Sequence, residues 1–141
     1  MKPNQVANAR DWVVLLIDDM PDNLVVAELA LKYHGAQVFT ATNGQEGLDL
    51  LQQIRPTVIL LDIRMPTMDG WTMFDILRAT PETRDIPVIA VTAYAMDTDK
   101  ERILATGFDG YMAKPFNVVT FVSEIATVLN SVQATADTPK E

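Results

Sequence analysis

Three short runs of this chain, residues 12–17, 57–61 and 86–91, are almost continuously apolar and rich in β-branched side chains. A strand with one wet face alternates apolar and polar residues. An unbroken apolar run of this length instead suits a strand covered on both faces, the usual state of a parallel sheet. Two weaker runs, 36–40 and 110–112, complete a set of five.

Helical patterns fill the gaps. Residues 21–34 carry Leu24, Val25, Leu29 and Leu31, with Pro21 in the first turn and Gly35 as a C-terminal stop. Residues 43–54 open on Asn43 with Glu46 three positions on, close to a capping box. Residues 70–79 end before Pro81, residues 95–106 end at Gly107, and residues 117–130 carry Phe121, Ile125 and Leu129. The expected fold is therefore α/β: a strand–helix unit repeated five times, doubly wound around a parallel sheet with right-handed crossovers.

The bulk properties exclude several function classes. With no cysteine there is no disulfide framework and no thiolate metal site. A net charge of −8 repels nucleic-acid phosphates, so DNA and RNA are not expected as partners. No apolar run approaches the ~20 residues of a membrane span. The polar N-terminus lacks a signal-peptide core. A soluble cytoplasmic protein is expected, with 1–11 as a flexible N-terminal segment, 12–130 as the single folded domain and 131–141 as a flexible tail.

In doubly wound sheets the ligand lies beyond the carboxyl ends of the strands. There the sequence places Asp18 and Asp19 after the first strand, Asp62 after the third, Thr92 after the fourth and Lys114 after the fifth. Three converging carboxylates disfavour one another's ionisation unless a cation joins them. Mg²⁺ suits that role, since it takes one or two carboxylates, keeps waters and binds phosphate oxygens. Mg²⁺ and Lys114 together would clamp a phosphoryl group, Thr92 could donate to one of its oxygens, and a carboxylate can be the nucleophile. Asp62, solitary at the end of the central strand, is the candidate nucleophile. Asp18 and Asp19 suit a metal-holding pair.

Four ordered segments, Leu16-Ile17-Asp18-Asp19, Leu61-Asp62-Ile63-Arg64-Met65-Pro66-Thr67-Met68-Asp69-Gly70, Val88-Ile89-Ala90-Val91-Thr92-Ala93 and Gly110-Tyr111-Met112-Ala113-Lys114-Pro115, resemble receiver domains of two-component response regulators. The resemblance covers nearly the whole folded part. It implies a flavodoxin-like sheet of strand order 2-1-3-4-5. It implies that Asp62 takes a phosphoryl group from a histidine of a partner kinase or phosphotransfer protein. Mg²⁺ would be held by Asp19, Asp62 and the backbone carbonyl of Arg64, with Asp18 acting through water. Thr92 and Lys114 would bind the phosphoryl oxygens, Tyr111 would change rotamer on activation, and Lys114-Pro115 would be a cis peptide. Homodimerisation through the fourth helix, fifth strand and fifth helix is a candidate output.

The chain's only histidine, His34, falls at the end of the first helix, so the donor must be another molecule. No Gly-rich loop or Walker motif is present, and too few residues follow the fifth helix for a DNA-binding domain. The expected protein is thus a stand-alone receiver, or one cut from a longer chain, and not an enzyme. The runner-up is a haloacid-dehalogenase-type phosphatase, which would need an acid where Met20 stands. A flavin-binding module of the same fold is third, disfavoured because Asp18, Asp19 and Asp22 would repel its phosphate. Arg64 and Tyr94, two positions past Asp62 and Thr92, could shield an acyl phosphate from water.

Overall fold

A computed structural model describes residues 9–65, 68–93, 97–114 and 116–137. Five strands alternate with five helices: β1 (Val13–Ile17), α1 (Pro21–Tyr33), β2 (Gln37–Ala41), α2 (Gly44–Leu51), β3 (Val58–Asp62), α3 (Gly70–Ala79), β4 (Val88–Thr92), α4 (Asp97–Thr106), β5 (Gly110–Ala113) and α5 (Phe121–Asp137). All pairings are parallel, in the order β2-β1-β3-β4-β5. The expected fold class and strand order are both observed.

The continuous apolar runs are explained by the pleat. Val14 and Leu16 of β1, Val58 and Leu60 of β3, and Ile89 and Val91 of β4 join one core with Leu24, Leu31, Phe121 and Ile125 of α1 and α5. Their alternating neighbours Leu15, Ile17, Ile59, Leu61, Val88 and Ala90 join a second core with Met73, Phe74 and Leu77 of α3 and Ile103 of α4. Successive side chains point to opposite faces, and here both faces are buried. Each fully buried Leu or Ile contributes roughly 1.5–3 kcal/mol, so the three central strands anchor the molecule.

The helix ends follow local chemistry. After α1, Gly35 adopts φ 93°, its N–H donates to the Lys32 carbonyl, and the Ala36 N–H donates to the Leu31 carbonyl. This paired closure needs a left-handed residue, which glycine supplies without a Cβ penalty. At α2 the Asn43 side chain accepts from the Glu46 N–H, while the Glu46 carboxylate accepts from the Thr42 N–H and hydroxyl.

Several boundaries differ from the sequence reading. The described residues open on a 3-10 turn at Ala9–Asp11, and Ala9 is buried beside Trp12. Residues 9–11 thus leave the segment expected to be flexible. Trp12, at the start of the first apolar run, is fully buried. Helix α2 ends at Leu51 rather than 54, in tight three-residue bonds such as Gln52 N–H to the Asp49 carbonyl. Helix α5 begins at Phe121 rather than 117, because the Asn117 side chain accepts from the Val119 N–H and makes a turn. It then runs to Asp137, into the segment expected to be a flexible tail. No Gly or Pro interrupts that stretch until Pro139, and Ala134 and Ala136 favour helix. The cis peptide expected at Pro115, the shielding role of Tyr94 and the outermost termini lie outside the described residues.

Candidate functional site

Strand register sets the site. Ile17 pairs with Leu61, Asp62 with Val91, and Thr92 with Ala113, so the strands end on one edge. Asp18 and Asp19 leave β1 at that edge, and the Lys114 N–H donates to the Thr92 carbonyl there. One oxygen each from Asp18, Asp19 and Asp62 lies within 4.8 Å of the others.

Asp62 and Asp18 are buried, and the Lys114 ammonium sits between them, 3.1 Å from Asp62 Oδ2 and 2.9 Å from Asp18 Oδ2. The remaining carboxylate oxygens are also engaged. Asp18 Oδ1 accepts from the Met20 N–H at 2.9 Å, and Asp62 Oδ1 accepts from the Arg64 N–H at 3.1 Å. The Asn23 amide reaches Asp18 Oδ2 at 3.4 Å, a long contact that braces Asp18 from the first turn of α1.

The site is electrostatically unfinished. Burial, with the charge of Asp18, pushes the Asp62 carboxyl up to about 6, even though Lys114 pulls it down. Lys114 moves above the usual lysine range: burial opposes its charge, but the hydrogen bond to Asp18 and the charges of Asp62 and Asp18 outweigh that. One ammonium thus does not neutralise the carboxylates, and a second cation would. The donor set is all oxygen and partly open at Asp19, which fits a hard divalent ion.

Thr92 is buried beside this cluster. It lines a cavity of about 320 Å³ with Ile63, Arg64, Asp69, Trp71, Arg102 and Ile103. Asp69 caps α3 by accepting from the Thr72 N–H. Tyr111 pairs with Ala90, two residues before Thr92 on the same face of β4. Its ring is partly buried against the α3–α4 core, with the Lys100 ammonium 5.2 Å from its centre. His34 caps the C-terminus of α1.

The expected residues Asp18, Asp19, Asp62 and Lys114 are therefore brought into contact range, with Thr92 and Arg64 adjoining them. The sequence reading missed Arg102, whose guanidinium lies 4.2 Å over the Trp71 ring. An arginine on an exposed helix face carries no sequence signal of such a role.

Residues 14–126 match the family model of the response regulator receiver domain. The chain is 37% identical over 116 residues to the polar-differentiation response regulator DivK of Brucella anthropi, covering 82% of this chain and 94% of DivK. Among solved structures it resembles the chemotaxis response regulator CheY4 of Vibrio cholerae (29% identity, TM-score 0.76, covering 82% of this chain and 97% of CheY4). It also resembles the receiver domain of a signal transduction histidine kinase from Syntrophus aciditrophicus (30% identity, TM-score 0.75, covering 92% and 98%).

Proposed function

The chain belongs to the response regulator receiver family of two-component signalling, and we propose that it is a switch set by a phosphoryl group on Asp62. The observation that carries this reading is the buried Asp62 carboxylate held under the Lys114 ammonium at the sheet edge. An Asp62 oxygen would form the new O–P bond as the P–N bond to a partner's phosphohistidine breaks, its electron pair leaving on the imidazole nitrogen. Lys114 and the Thr92 hydroxyl would hold the transferred oxygens. The Arg64 N–H orients the nucleophile.

Mg²⁺ is the cation this reading requires; Asp19, Asp62 and the Arg64 carbonyl would hold it, with Asp18 acting through water. When bound it offsets negative charge on the transferring group. Millimolar Mg²⁺ is expected to raise the melting temperature by a few degrees through mass action. Asp19→Asn should remove most of that gain in a thermal melt. An undiminished response in the variant would refute the ligand set.

The donor is a histidine of a separate kinase or phosphotransfer protein, and a cytoplasmic location goes with that role. An exposed apolar face on α1 supports a protein donor. Val26, Leu29, Tyr33, Val118 and Val119 line a shallow groove between α1 and the chain leading into α5. Leu29 is 65% and Val119 86% exposed. Apolar patches of this kind mark contact surfaces. Leu29→Glu combined with Val119→Asp should slow transfer from a phosphohistidine protein about tenfold or more, since central apolar contacts dominate such interfaces. Labelling by a small phosphodonor, followed by intact-mass spectrometry, should be unaltered. Equal rates with the protein donor would remove this face from the interface. Profiling against purified histidine-phosphorylated proteins tests the function itself, and failure with all of them would leave no phosphotransfer role.

The reading gives no turnover of external substrate. The phosphatase alternative has no support: Met20 stands where its acid would be, and its side chain is 52% exposed. On phosphorylation Thr92 would be drawn toward the phosphoryl group, and Tyr111 would turn into the vacated space. The α4–β5–α5 surface then changes and could mediate homodimerisation. With beryllofluoride as phosphate mimic, amide NMR shifts across 97–114 should shrink in Thr92→Ala. Unreduced shifts would show that the hydroxyl does not transmit the signal.

A further inference from the structure

Helix α4 is held to the domain lightly. From Lys100 to Thr106 only Ile103 is buried, whereas α3 buries Met73, Phe74 and Leu77. A helix with so little buried surface sits at the low-stability end of a fold. Two cations flank that single anchor, and each lies over an aromatic ring. The Arg102 guanidinium is 4.2 Å from the centre of the Trp71 ring on α3, and the Lys100 ammonium is 5.2 Å from that of Tyr111 on β5. The two rings differ in how they are held. Trp71 meets Phe108 edge-on at 5.7 Å, and Phe108 stacks on Phe74 at 4.0 Å. Among the described residues no such ring stack fixes Tyr111, which is half-buried. Lys100 is exposed, so its ammonium keeps its water. It would not follow the Tyr111 ring into the core, because burying an unpaired ammonium is strongly unfavourable. The contact therefore exists only while the ring stays in its half-buried position.

We propose that Lys100 is a positioning residue that sets the threshold of the switch: its ammonium holds the Tyr111 ring outward and opposes the inward turn. The proposal rests on the reading in which Tyr111 turns inward when Asp62 carries a phosphoryl group. Linkage makes the effect reciprocal. Whatever favours the outward ring weakens, by the same factor, the binding at Asp62 of any group that favours the inward one. A cation over a ring at an exposed site is worth about two- to fivefold in such an equilibrium. The sign separates this role from a simple field effect. Loss of a positive charge near an anion site weakens anion binding. Release of the ring strengthens it.

The test titrates beryllofluoride in Mg²⁺ buffer and follows the amide and ring resonances of Tyr111 by NMR. Lys100→Met keeps the apolar stem and loses the charge. Its Kd for beryllofluoride should be about two- to fivefold lower than that of the wild type. Its unliganded Tyr111 resonances should lie nearer their liganded positions. Lys100→Arg, which keeps a cation over the ring, should match the wild type. In a Tyr111→Leu background, Lys100→Met should give no such gain, because the ammonium has no ring left to hold. An unchanged or raised Kd in Lys100→Met overturns the proposal, and so does an equal gain in the Tyr111→Leu background. Wild-type protein that binds beryllofluoride with no change at Tyr111 overturns the inward turn and the role of Lys100, while leaving Asp62 as acceptor. No binding by the wild type overturns the acceptor reading and the proposal together.

Discussion

Asp62→Asn is expected to take up no phosphoryl group from any donor, and yet to melt at a higher temperature than the wild type in metal-free buffer at pH 7. The first effect follows from losing the carboxylate that the end of β3 holds under Lys114. The second follows from the sign of its titration. Burial and the charge of Asp18 push the folded-state value up to about 6, against about 4 for an unfolded aspartate. Between these values the folded protein binds the extra proton, so stability contributed by this group falls as pH rises through that window. Above it the cost of an ionised Asp62 is fully present. Asn carries no charge and escapes that cost, so a gain of a few degrees is expected at pH 7–8. The gain should fade toward pH 4, where wild-type Asp62 is neutral in both states. Mg²⁺ should narrow the difference by stabilising the wild type. Intact-mass labelling reads the first effect, and melting curves from pH 4 to 8 read the second. A variant still labelled as fully as the wild type, or a gain that grows as pH falls, would contradict the assignment.

Much of this arrangement is legible in the sequence, because parallel strands buried on both faces announce themselves as unbroken apolar runs. Once β1, β3, β4 and β5 are placed, their C-terminal residues must share an edge. Asp18, Asp19, Asp62, Thr92 and Lys114 then fall together without any knowledge of side-chain contacts. What fails is whatever depends on competition between local bonds. Asn117 reads equally well as a helix cap and as a turn-former, and the Val119 N–H decides for the turn. The length of α5 was underestimated because polar small residues read as tail, although nothing in them stops a helix. The Arg102–Trp71 contact joins α4 to α3 across the packed interface between them. Such a long-range pairing has no periodic or spacing signature.

Gly70→Ala is expected to destabilise the fold severely, against what helix propensity alone indicates. Gly70 opens α3, where replacing glycine by alanine ordinarily gains up to about 1 kcal/mol. Here the added methyl has nowhere to go. A Cβ at Gly70 would lie 2.5 Å from the Asp62 carbonyl oxygen and 2.7 Å from Ile63 Cα. These are backbone atoms at the end of β3, not the tip of a side chain that can swing aside. Relief requires α3 to move off the sheet. That strains the bond from the Gly70 N–H to the Ile63 carbonyl and loosens Met73, Phe74 and Leu77 from their core. Overpacking a rigid site costs about 1–3 kcal/mol, and the loosened core adds to it, so a loss of about 3 kcal/mol or more is expected. For a domain of this size that lowers the melting temperature by roughly 10 °C. The same displacement shifts Asp62 and the Arg64 N–H that orients it, so labelling by phosphoramidate should also slow in protein that remains folded. Urea denaturation measures the first effect and initial labelling rates the second. A Gly70→Ala variant as stable as the wild type would mean that α3 yields freely at its N-terminus. The close approach of helix to strand could then not be what holds Asp62 in place.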